Sequence, residues 1–252
     1  MSNILINSFN KKGFVVIKKL FDRSAIKKIL SDINIVKAKV QNKKNNRFFH
    51  KTVDGKINTI HNIQKFYKRG YISKVLKNKK LISIVEKILR DKIRVRNIEF
   101  FLKPKKTGMP SPFHQDNFYW NIVNGKALNC WIACSDASRK NGGLAYLVGS
   151  HNLGTVKHQI SFAKGSSQKI PDEILKKLKF KKEYPTIKAG DCLVHHSEII
   201  HGSKRNASNK DRIGLVISYE AKNRIINKFT NLEYEKNVKK NLKKIYSEVQ
   251  SK

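Results

Sequence analysis

Acidic residues are scarce in this 252-residue sequence, and their scarcity sets its charge. Aspartate and glutamate total 18 against 54 lysines and arginines, so the formal net charge is +36 at pH 7. A charge this high raises affinity for any polyanion. Arginine, however, supplies only 10 of the 54 basic residues, and the lysines are spread along the whole chain. Nucleic-acid readers rely on arginine forks and aromatic residues in recognisable motifs, so we expect no specific nucleic-acid partner.

Cysteine is scarce, and long apolar runs are missing. Cys130, Cys134 and Cys192 are odd in number and lack zinc-type spacing, which favours reduced thiols in or near the core over disulfides or a metal finger. No apolar run approaches the roughly 18 residues of a membrane span. The first residues lack the charged start and cleavage site of a signal peptide. Together these absences predict a cytoplasmic protein without a membrane partner.

Proline and glycine are too sparse, at 5 and 13 residues, to form a long linker. No internal repeat or low-complexity tract marks a boundary, and chains near this length often form one β-rich domain. We therefore predict one domain over residues 1–252. Its parts are an N-terminal support of helices and strand to about residue 92, a β core over about 93–221 and a helical tail over about 222–252.

The N-terminal third has mixed patterns. The segment GFVVIKKLF, from Gly13 to Phe21, is typical of a strand followed by a turn. The next segment, SAIKKILSDI, has apolar residues at helical spacing behind a possible Ser24 cap. Residues 42–55 are polar and basic, which favours a loop. Helical periodicity returns over residues 74–92 and again over residues 234–249.

From residue 93 onward the pattern is β-rich. Short segments of β-branched and aromatic residues are separated by Gly, Asn, Asp and Pro. They are IRVRNIEFFLK, ALNCWIACSDA, GGLAYLV, GDCLVHH and IGLVISYEA. Because helices come first and the strands do not alternate regularly with helices, a mainly β sandwich or jelly roll fits better than a parallel α/β sheet.

One short segment has the spacing of metal ligands. In SPFHQDNFYW, His114 and Asp116 are two residues apart, so on a strand both side chains point to one side. The segment GDCLVHHSEIIHGS offers His195, His196 or His201 as a third ligand. Two histidines and one carboxylate leave three metal positions open, which is the arrangement of non-haem Fe(II) oxygenases. The pair alone is a weak signal, but the β-rich stretch and second histidine segment strengthen it.

These motifs resemble those of the phytanoyl-CoA dioxygenase-like family of Fe(II)/2-oxoglutarate oxygenases. The resemblance runs from GFVVIKKLF to Tyr219 and is carried by FFLKP, PFHQDNFYW, ALNCWIACSDASRKNGGLAYLVGSH and HSEIIHGSKRNASNKDR. It implies a double-stranded β-helix (jelly-roll, cupin-like) core with flanking N-terminal and C-terminal helices. It also selects His201 as the third ligand beside His114 and Asp116. His195 and His196 are then structural or adjacent to the ligands, and His151 holds a turn.

The resemblance further implies a 2-oxoglutarate site. The keto acid end of 2-oxoglutarate chelates iron, and a guanidinium fork suits its distal carboxylate. Arg212 opens the apolar strand RIGLVISY, where an unpaired charge would be costly, and the family pattern assigns it to that carboxylate. Ser203, Trp131 and Lys103 are further candidates for the same pocket.

The implied cofactors are Fe(II), 2-oxoglutarate and O2, and the implied reaction hydroxylates a C–H bond while 2-oxoglutarate becomes succinate and CO2. Halogenating relatives replace the carboxylate ligand with a small residue, so Asp116 favours hydroxylation. The expected substrate is a small metabolite whose identity and pathway the sequence does not indicate. Strand alternation would place Phe118 and Trp120 on the metal side. Glu99 stands where a neutral residue is more common near the co-substrate, and His61 is a candidate for the pocket surroundings.

Two other classes of protein stay open at this point. A cupin-like binding protein without catalysis would share the fold, but it would have no need for Arg212 at the family spacing. A nucleic-acid oxygenase would share the metal triad and use the basic charge, and it should show an aromatic base pocket and salt-steep binding.

Overall fold

The computed structural model describes residues 2–43, 48–163 and 166–228. Its α-helices are α1 Ser2–Lys12, α2 Arg23–Gln41, α3 Ile72–Val75, α4 Lys79–Leu89, α5 Asn117–Trp120 and α6 Asp172–Lys177. Its first strands are β1 Phe14–Ile17, β2 Phe49–Lys51, β3 Ile57–Ile60, β4 Ile93–Lys103, β5 Ser111–His114, β6 Ala127–Ala133 and β7 Leu144–Leu147. The remaining strands are β8 Gln159–Ala163, β9 Ser166–Lys169, β10 Lys182–Glu183, β11 Cys192–His196, β12 His201–Ser203 and β13 Arg212–Ala221.

Two antiparallel sheets form the β core. The larger sheet has the order β1-β11-β6-β13-β4-β3-β2 and the smaller one β10-β7-β12-β5, while β8 and β9 form a separate hairpin. Apart from the consecutive strands β2, β3 and β4, neighbours in each of these sheets are not consecutive in sequence, as in a jelly roll rather than a meander. Each of the five β-rich segments noted above contains a strand, and the prediction of a mainly β jelly roll is confirmed.

The space between the sheets is lined by alternate residues of the large sheet. Phe14, Trp131, Leu193 and Val216 point inward from four of its strands and meet Tyr146 of the smaller sheet. Side chains two apart on a strand share a face, so this inner wall runs continuously across the strands.

The outer face of the large sheet is covered by helices. Ile29 and Ile33 of α2 and Val85 of α4 pack in one core with Phe100 and Ile132 of the sheet. The three cysteines, Cys130, Cys134 and Cys192, belong to this core too, and all are buried and unpaired, as expected. Within the described ranges, no helix is long and apolar enough to cross a membrane.

Helix α2 begins two residues earlier than predicted. Its N-cap is Asp22, whose Oδ1 accepts a hydrogen bond of 2.7 Å from the Ala25 backbone N–H. Ser24 therefore lies inside the first turn, and its prediction as the cap is wrong. Aspartate and serine are nearly equal as caps, so the sequence pattern alone does not distinguish them.

The helix predicted over residues 74–92 is two helices. Helix α3 ends at Val75 and α4 begins at Lys79. Asn78 separates them because its side chain accepts a hydrogen bond of 2.9 Å from the Leu81 N–H and starts a new helix. Such side-chain bonds to nearby backbone compete with a continuing helix.

The loop predicted over residues 42–55 contains a strand. Strand β2 pairs with β3, and β3 in turn pairs with β4. Distant backbone supplies this pairing, so the local polar composition does not indicate it. The helix predicted over residues 234–249 lies outside the described residues.

Two isoleucines of α2 test the core. Ile33 is 1% exposed and Ile35 is 45% exposed. We expect Ile33→Ala to lower the free energy of unfolding by about 2–5 kcal/mol, because it removes buried methyl groups and leaves a cavity. The matched Ile35→Ala should change it by about 0.5 kcal/mol or less. Urea denaturation of the full chain measures both values, and equal losses would contradict this packing.

Candidate metal centre

Strand pairing brings two histidines together. His201 opens β12 directly opposite His114, the last residue of β5, and their ring centroids are 4.4 Å apart. Asp116 follows His114 by two residues. Ligand atoms of the three side chains all lie within 4.8 Å of one another, and this is the group of possible metal ligands found in the described part of the chain.

The local route to this cluster differs from the expected strand alternation. Strand β5 ends at His114, and Asp116 is the N-cap of α5 with helical angles of φ −64° and ψ −32°. The chain turns at this point, so Asp116 meets the histidines through the turn. The prediction that alternation sends Phe118 and Trp120 to the metal side is wrong, because both lie on α5. Trp120 instead packs in a small apolar cluster with Ile122.

Backbone carbonyls orient both imidazoles. Nδ1 of His114 donates to the Pro112 carbonyl at 2.8 Å, and Nδ1 of His201 donates to the Ile199 carbonyl at 3.0 Å. Each Nε2 lone pair therefore points toward Asp116, at 3.6 Å for His114 and 3.7 Å for His201. A second hydrogen bond that fixes the tautomer is typical of metal-binding histidines.

Asp116 is held by two side chains of the large sheet. Its Oδ2 accepts hydrogen bonds from Asn129 Nδ2 at 2.6 Å and from His195 Nε2 at 3.2 Å. Ser218 donates to Asn129 Oδ1 at 2.5 Å, and Tyr146 donates to His195 Nδ1 at 2.9 Å. Asn129, Ser218 and Tyr146 were not predicted from the sequence. Their signal was a polar residue at an inward position of an otherwise apolar strand.

The remaining histidines of the motif segments have structural contacts. His196 accepts a hydrogen bond of 3.1 Å from the Glu198 N–H, and His151 donates to the Asn10 carbonyl at 3.0 Å. Strand β11 ends at His196, and a turn precedes His201. That turn, rather than alternation along one strand, keeps His196 out of the cluster.

The charges of the cluster suit a cation. Burial opposes ionisation of Asp116, yet His201, His114 and His195 together hold its pKa well below the usual value. Burial lowers the pKa of His201 to about 3. Burial also disfavours protonated His114, but the adjacent Asp116 carboxylate outweighs this and raises its pKa. A buried carboxylate between two imidazoles attracts one positive charge, and a divalent metal displaces the proton there. These donors fit Fe(II).

The four residues predicted for 2-oxoglutarate also meet. Arg212 and Lys103 are direct partners on β13 and β4. Lys103 Nζ donates to Ser203 Oγ and to the Lys204 carbonyl, both at 2.6 Å. The Arg212 guanidinium lies 5.3 Å from the centroid of the Trp131 ring.

Arg212 has unused hydrogen-bond capacity. It is 2% exposed, and its Nη2 donates to the Gly142 carbonyl at 2.9 Å. Its Nε and Nη1 have no partner among the described residues. Burial lowers the pKa of Arg212 to about 10. Burial also lowers the pKa of Lys103 well below its usual value, and the neighbouring positive charge of Arg212 lowers it further. The unpaired N–H groups of Arg212, with the Lys103 amine beside them, fit the distal carboxylate of 2-oxoglutarate.

The spacing between the metal cluster and the residues predicted for 2-oxoglutarate matches a short dicarboxylate. Ser203 follows His201 by two residues on β12, so the two share a face and are separated by about 6.8 Å along the strand. The Trp131 ring packs closely over the backbone of residue 214, which is possible because that residue is glycine. A Cβ on Gly214 would lie 2.2 Å from Trp131 Cε2. The role of this glycine was not predicted from the sequence.

The comparisons with known proteins agree with this geometry. The phytanoyl-CoA dioxygenase (PhyH) family profile matches residues 9–214. A probable alpha-ketoglutarate-dependent hypophosphite dioxygenase of Stutzerimonas stutzeri is 26% identical over 220 residues, which cover 83% of this chain and 75% of that protein. L-Proline trans-4-hydroxylase of Streptomyces griseoviridis is 28% identical over 165 residues, which cover 58% of this chain and 60% of that protein.

Two solved structures show the same fold. EctD from S. alaskensis, solved with 2-oxoglutarate and 5-hydroxyectoine, has a TM-score of 0.74 at 17% identity and covers 90% of this chain and 78% of its own. The non-heme alpha ketoglutarate dependent epimerase SnoN has a TM-score of 0.67 at 19% identity and covers 86% and 81%. At these identities the likeness establishes the jelly roll alone.

Removal of one imidazole tests the metal assignment. We expect the wild-type chain to bind one equivalent of Mn(II), and His201→Ala to weaken that binding roughly tenfold or more, since one of three ligands is lost. The control is His151→Ala, which removes an imidazole outside the cluster. Isothermal titration calorimetry measures both. Unchanged affinity in His201→Ala would contradict the assignment.

His158 should make stability depend on pH. Its Nε2 accepts a hydrogen bond of 3.0 Å from the backbone N–H of Gln115, the residue between His114 and Asp116. Its Nδ1 donates to the Val156 carbonyl at 2.8 Å. Burial lowers its pKa from 6.5 to about 4. Between pH 6.5 and about 4, His158 is therefore protonated in the unfolded chain but neutral in the folded chain. The stability that is present above pH 6.5 is lost as the pH falls toward 4.

The expected contribution of His158 is roughly 3 kcal/mol at most. His158→Gln keeps one donor and one acceptor but does not titrate. Its unfolding free energy should decline less steeply than that of the wild type between pH 6.5 and 4, as measured by urea denaturation. Parallel curves for the two proteins would refute this role.

Proposed function

The chain belongs to the phytanoyl-CoA dioxygenase family, and from that premise we propose that it hydroxylates a C–H bond of a small-molecule metabolite. It is an Fe(II)- and 2-oxoglutarate-dependent dioxygenase, as its family and curated relatives are. The observation that supports the proposed chemistry most is the cluster of three ligand atoms, from His114, Asp116 and His201, which lie within 4.8 Å of one another. The same β core also buries Arg212, whose Nε and Nη1 have no partner among the described residues.

The three clustered side chains would hold the metal. His114 and His201 are oriented by backbone carbonyls, and Asp116 is oriented by Asn129 and His195. With iron, 2-oxoglutarate and O2 bound, the centre supplies the oxidation that places one oxygen atom in a C–H bond while succinate and CO2 are released. Asp116 occupies the position of a carboxylate ligand, which supports hydroxylation over halogenation.

Arg212, Lys103 and Ser203 would bind the distal carboxylate of 2-oxoglutarate. Arg212 offers two N–H groups, and Lys103 supplies a second positive charge at its side. Trp131 would line the co-substrate between the two ends. Because this pocket is buried, it excludes water and strengthens each charge-assisted hydrogen bond. The residues position the keto acid end toward the metal, and that positioning is the protein's main contribution.

A small polar molecule is the substrate class that the relatives support. Their names state hypophosphite and L-proline, and one structural neighbour was solved with 5-hydroxyectoine. A binding protein without catalysis would leave Arg212 buried beside Lys103 with no function for the pair. The buried, unpaired state of the three cysteines supports a reducing, cytoplasmic location.

Succinate release tests the reaction. We expect the chain to convert 2-oxoglutarate to succinate with Fe(II), ascorbate and a panel of small metabolites, and one metabolite to gain a single oxygen atom by mass spectrometry. EDTA should abolish both signals because it removes the metal. The same assay with oligonucleotides should show no stimulation. Stimulation by oligonucleotides alone would favour a nucleic-acid oxygenase, and no succinate with any substrate would oppose the proposal.

Arg212→Lys tests the co-substrate site. Lysine keeps the charge but loses the planar fork, so one charge-assisted hydrogen bond is lost and the KM for 2-oxoglutarate should rise about tenfold or more. The matched control is Arg205→Lys, an exposed arginine that donates to the Lys106 carbonyl. Steady-state succinate production at varied 2-oxoglutarate measures both. An equal KM in the two variants would contradict the role of Arg212.

A further inference from the structure

A carboxylate stands on the inner wall between the metal centre and the co-substrate site. Glu99 of β4 is paired with Val216 of β13, and Val216 is paired with Trp131 of β6. Glu99 is also two residues from Phe101 and four from Lys103 on the same strand, so all three share a face. Because Val216, Trp131 and Lys103 face the interior, Glu99 faces it as well.

The same strand register relates Glu99 to the metal centre. Ser218, two residues from Val216, is paired with Asn129, which donates to Asp116. Asn129 is on β6, two strands across the sheet from Glu99 and two residues along from Trp131. The strand spacing and the rise per residue together place the two backbones roughly 12 Å apart. Both side chains point into the space between the sheets, so one small metabolite can reach from Glu99 to the metal centre.

Glu99 is held in place but not neutralised by a permanent cation. Its Oε1 lies 2.5 Å from Nδ1 of His61, just beyond β3, and its side chain is 16% exposed. The His61 ring meets Phe101 edge-on at 5.9 Å and His50 at 5.6 Å. Within the described ranges, Glu99 Oε2 has no hydrogen-bond partner, so this oxygen can accept a hydrogen bond from a molecule bound between the sheets.

This arrangement differs from that of another inner carboxylate. Glu220, at the far end of β13, is bound by Arg94, Arg96 and Arg224. Basic residues outnumber acidic ones by 54 to 18 in this chain, so a lysine or arginine partner is generally at hand. Glu99 has none among the described residues, so no lysine or arginine balances its charge.

We propose that Glu99, positioned by His61, binds a cationic nitrogen of the substrate, so that the substrate is a small amine or guanidine. The inference rests on the proposed function, since it names the substrate class of the same site. Glu99 would accept a charge-assisted hydrogen bond from the ammonium or guanidinium group. The neighbouring Phe101 ring adds a favourable surface for a cation. An anionic group at this position would be repelled by the carboxylate, which gives the site its selectivity.

The binding test uses the full chain loaded with Mn(II) and 2-oxoglutarate, so that no turnover occurs. Probes are putrescine, agmatine, L-lysine and choline as cations, and glutarate and hypophosphite as anions, each titrated by calorimetry at millimolar concentration. We expect at least one cationic probe to bind. Glu99→Gln should weaken it roughly tenfold or more through loss of the charge. The amide of that variant can still pair with His61, so its melting temperature should stay near that of the wild type.

Glu173→Gln is the matched control, because it makes the same chemical change at an exposed position of α6. It should bind the cationic probes as the wild type does. Equal binding of the cations by wild type and Glu99→Gln, preference for the anions, or no cation binding would overturn the inference. So would a Glu99→Gln variant that loses 2-oxoglutarate but keeps the cations.

Binding of 2-oxoglutarate to the Mn(II)-loaded wild type separates the two proposals. If it binds normally and the cations fail, only the substrate class is overturned. If 2-oxoglutarate itself does not bind, the proposed function fails, and the inference that rests on it fails too.

Discussion

The pairing of β12 with β5 is the constraint on which the candidate site depends. It places His201 directly opposite His114, although 87 residues separate them in the printed sequence. A shift of one residue in this register would turn His201 to the other face of its strand. The same short strand then carries Ser203 toward Lys103. One register thus sets both the distance between the two imidazoles and the distance from the metal centre to the co-substrate end.

Buried charges of both signs lie at separate places in the space between the two sheets. Asp116 lies among imidazoles at one end, Arg212 and Lys103 lie together at the other, and Glu99 lies on the wall between them. Buried charges without partners are costly, and removing the partner of a buried charge costs more than the pair contributes. A metal and a dicarboxylate would supply the missing partners. Their binding should therefore stabilise the fold as well as complete the site.

Much of this could be predicted from sequence. The strands from residue 93 onward follow from runs of β-branched and aromatic residues, and Arg212 stands out because a charge opens an apolar strand. The errors lie where a short polar side chain or a distant strand determines the outcome. Asn78 divides a periodic segment into two helices, and β2 forms inside a polar stretch because β3 pairs with it. Asp116 caps a helix, so alternation does not describe how it meets His114.

The linear pattern determines the residue types of the site, the order of its motifs and the β-rich character of the core, because each depends on neighbours within a few positions. The linear pattern does not determine how Asn129 and His195 support Asp116 or the space that Gly214 leaves for Trp131. Nor does it determine that one oxygen of Glu99 has no partner among the described residues. These features arise from contacts between strands that are remote in the chain. Such contacts depend on sheet order and register, which non-local packing sets once the whole β core has closed.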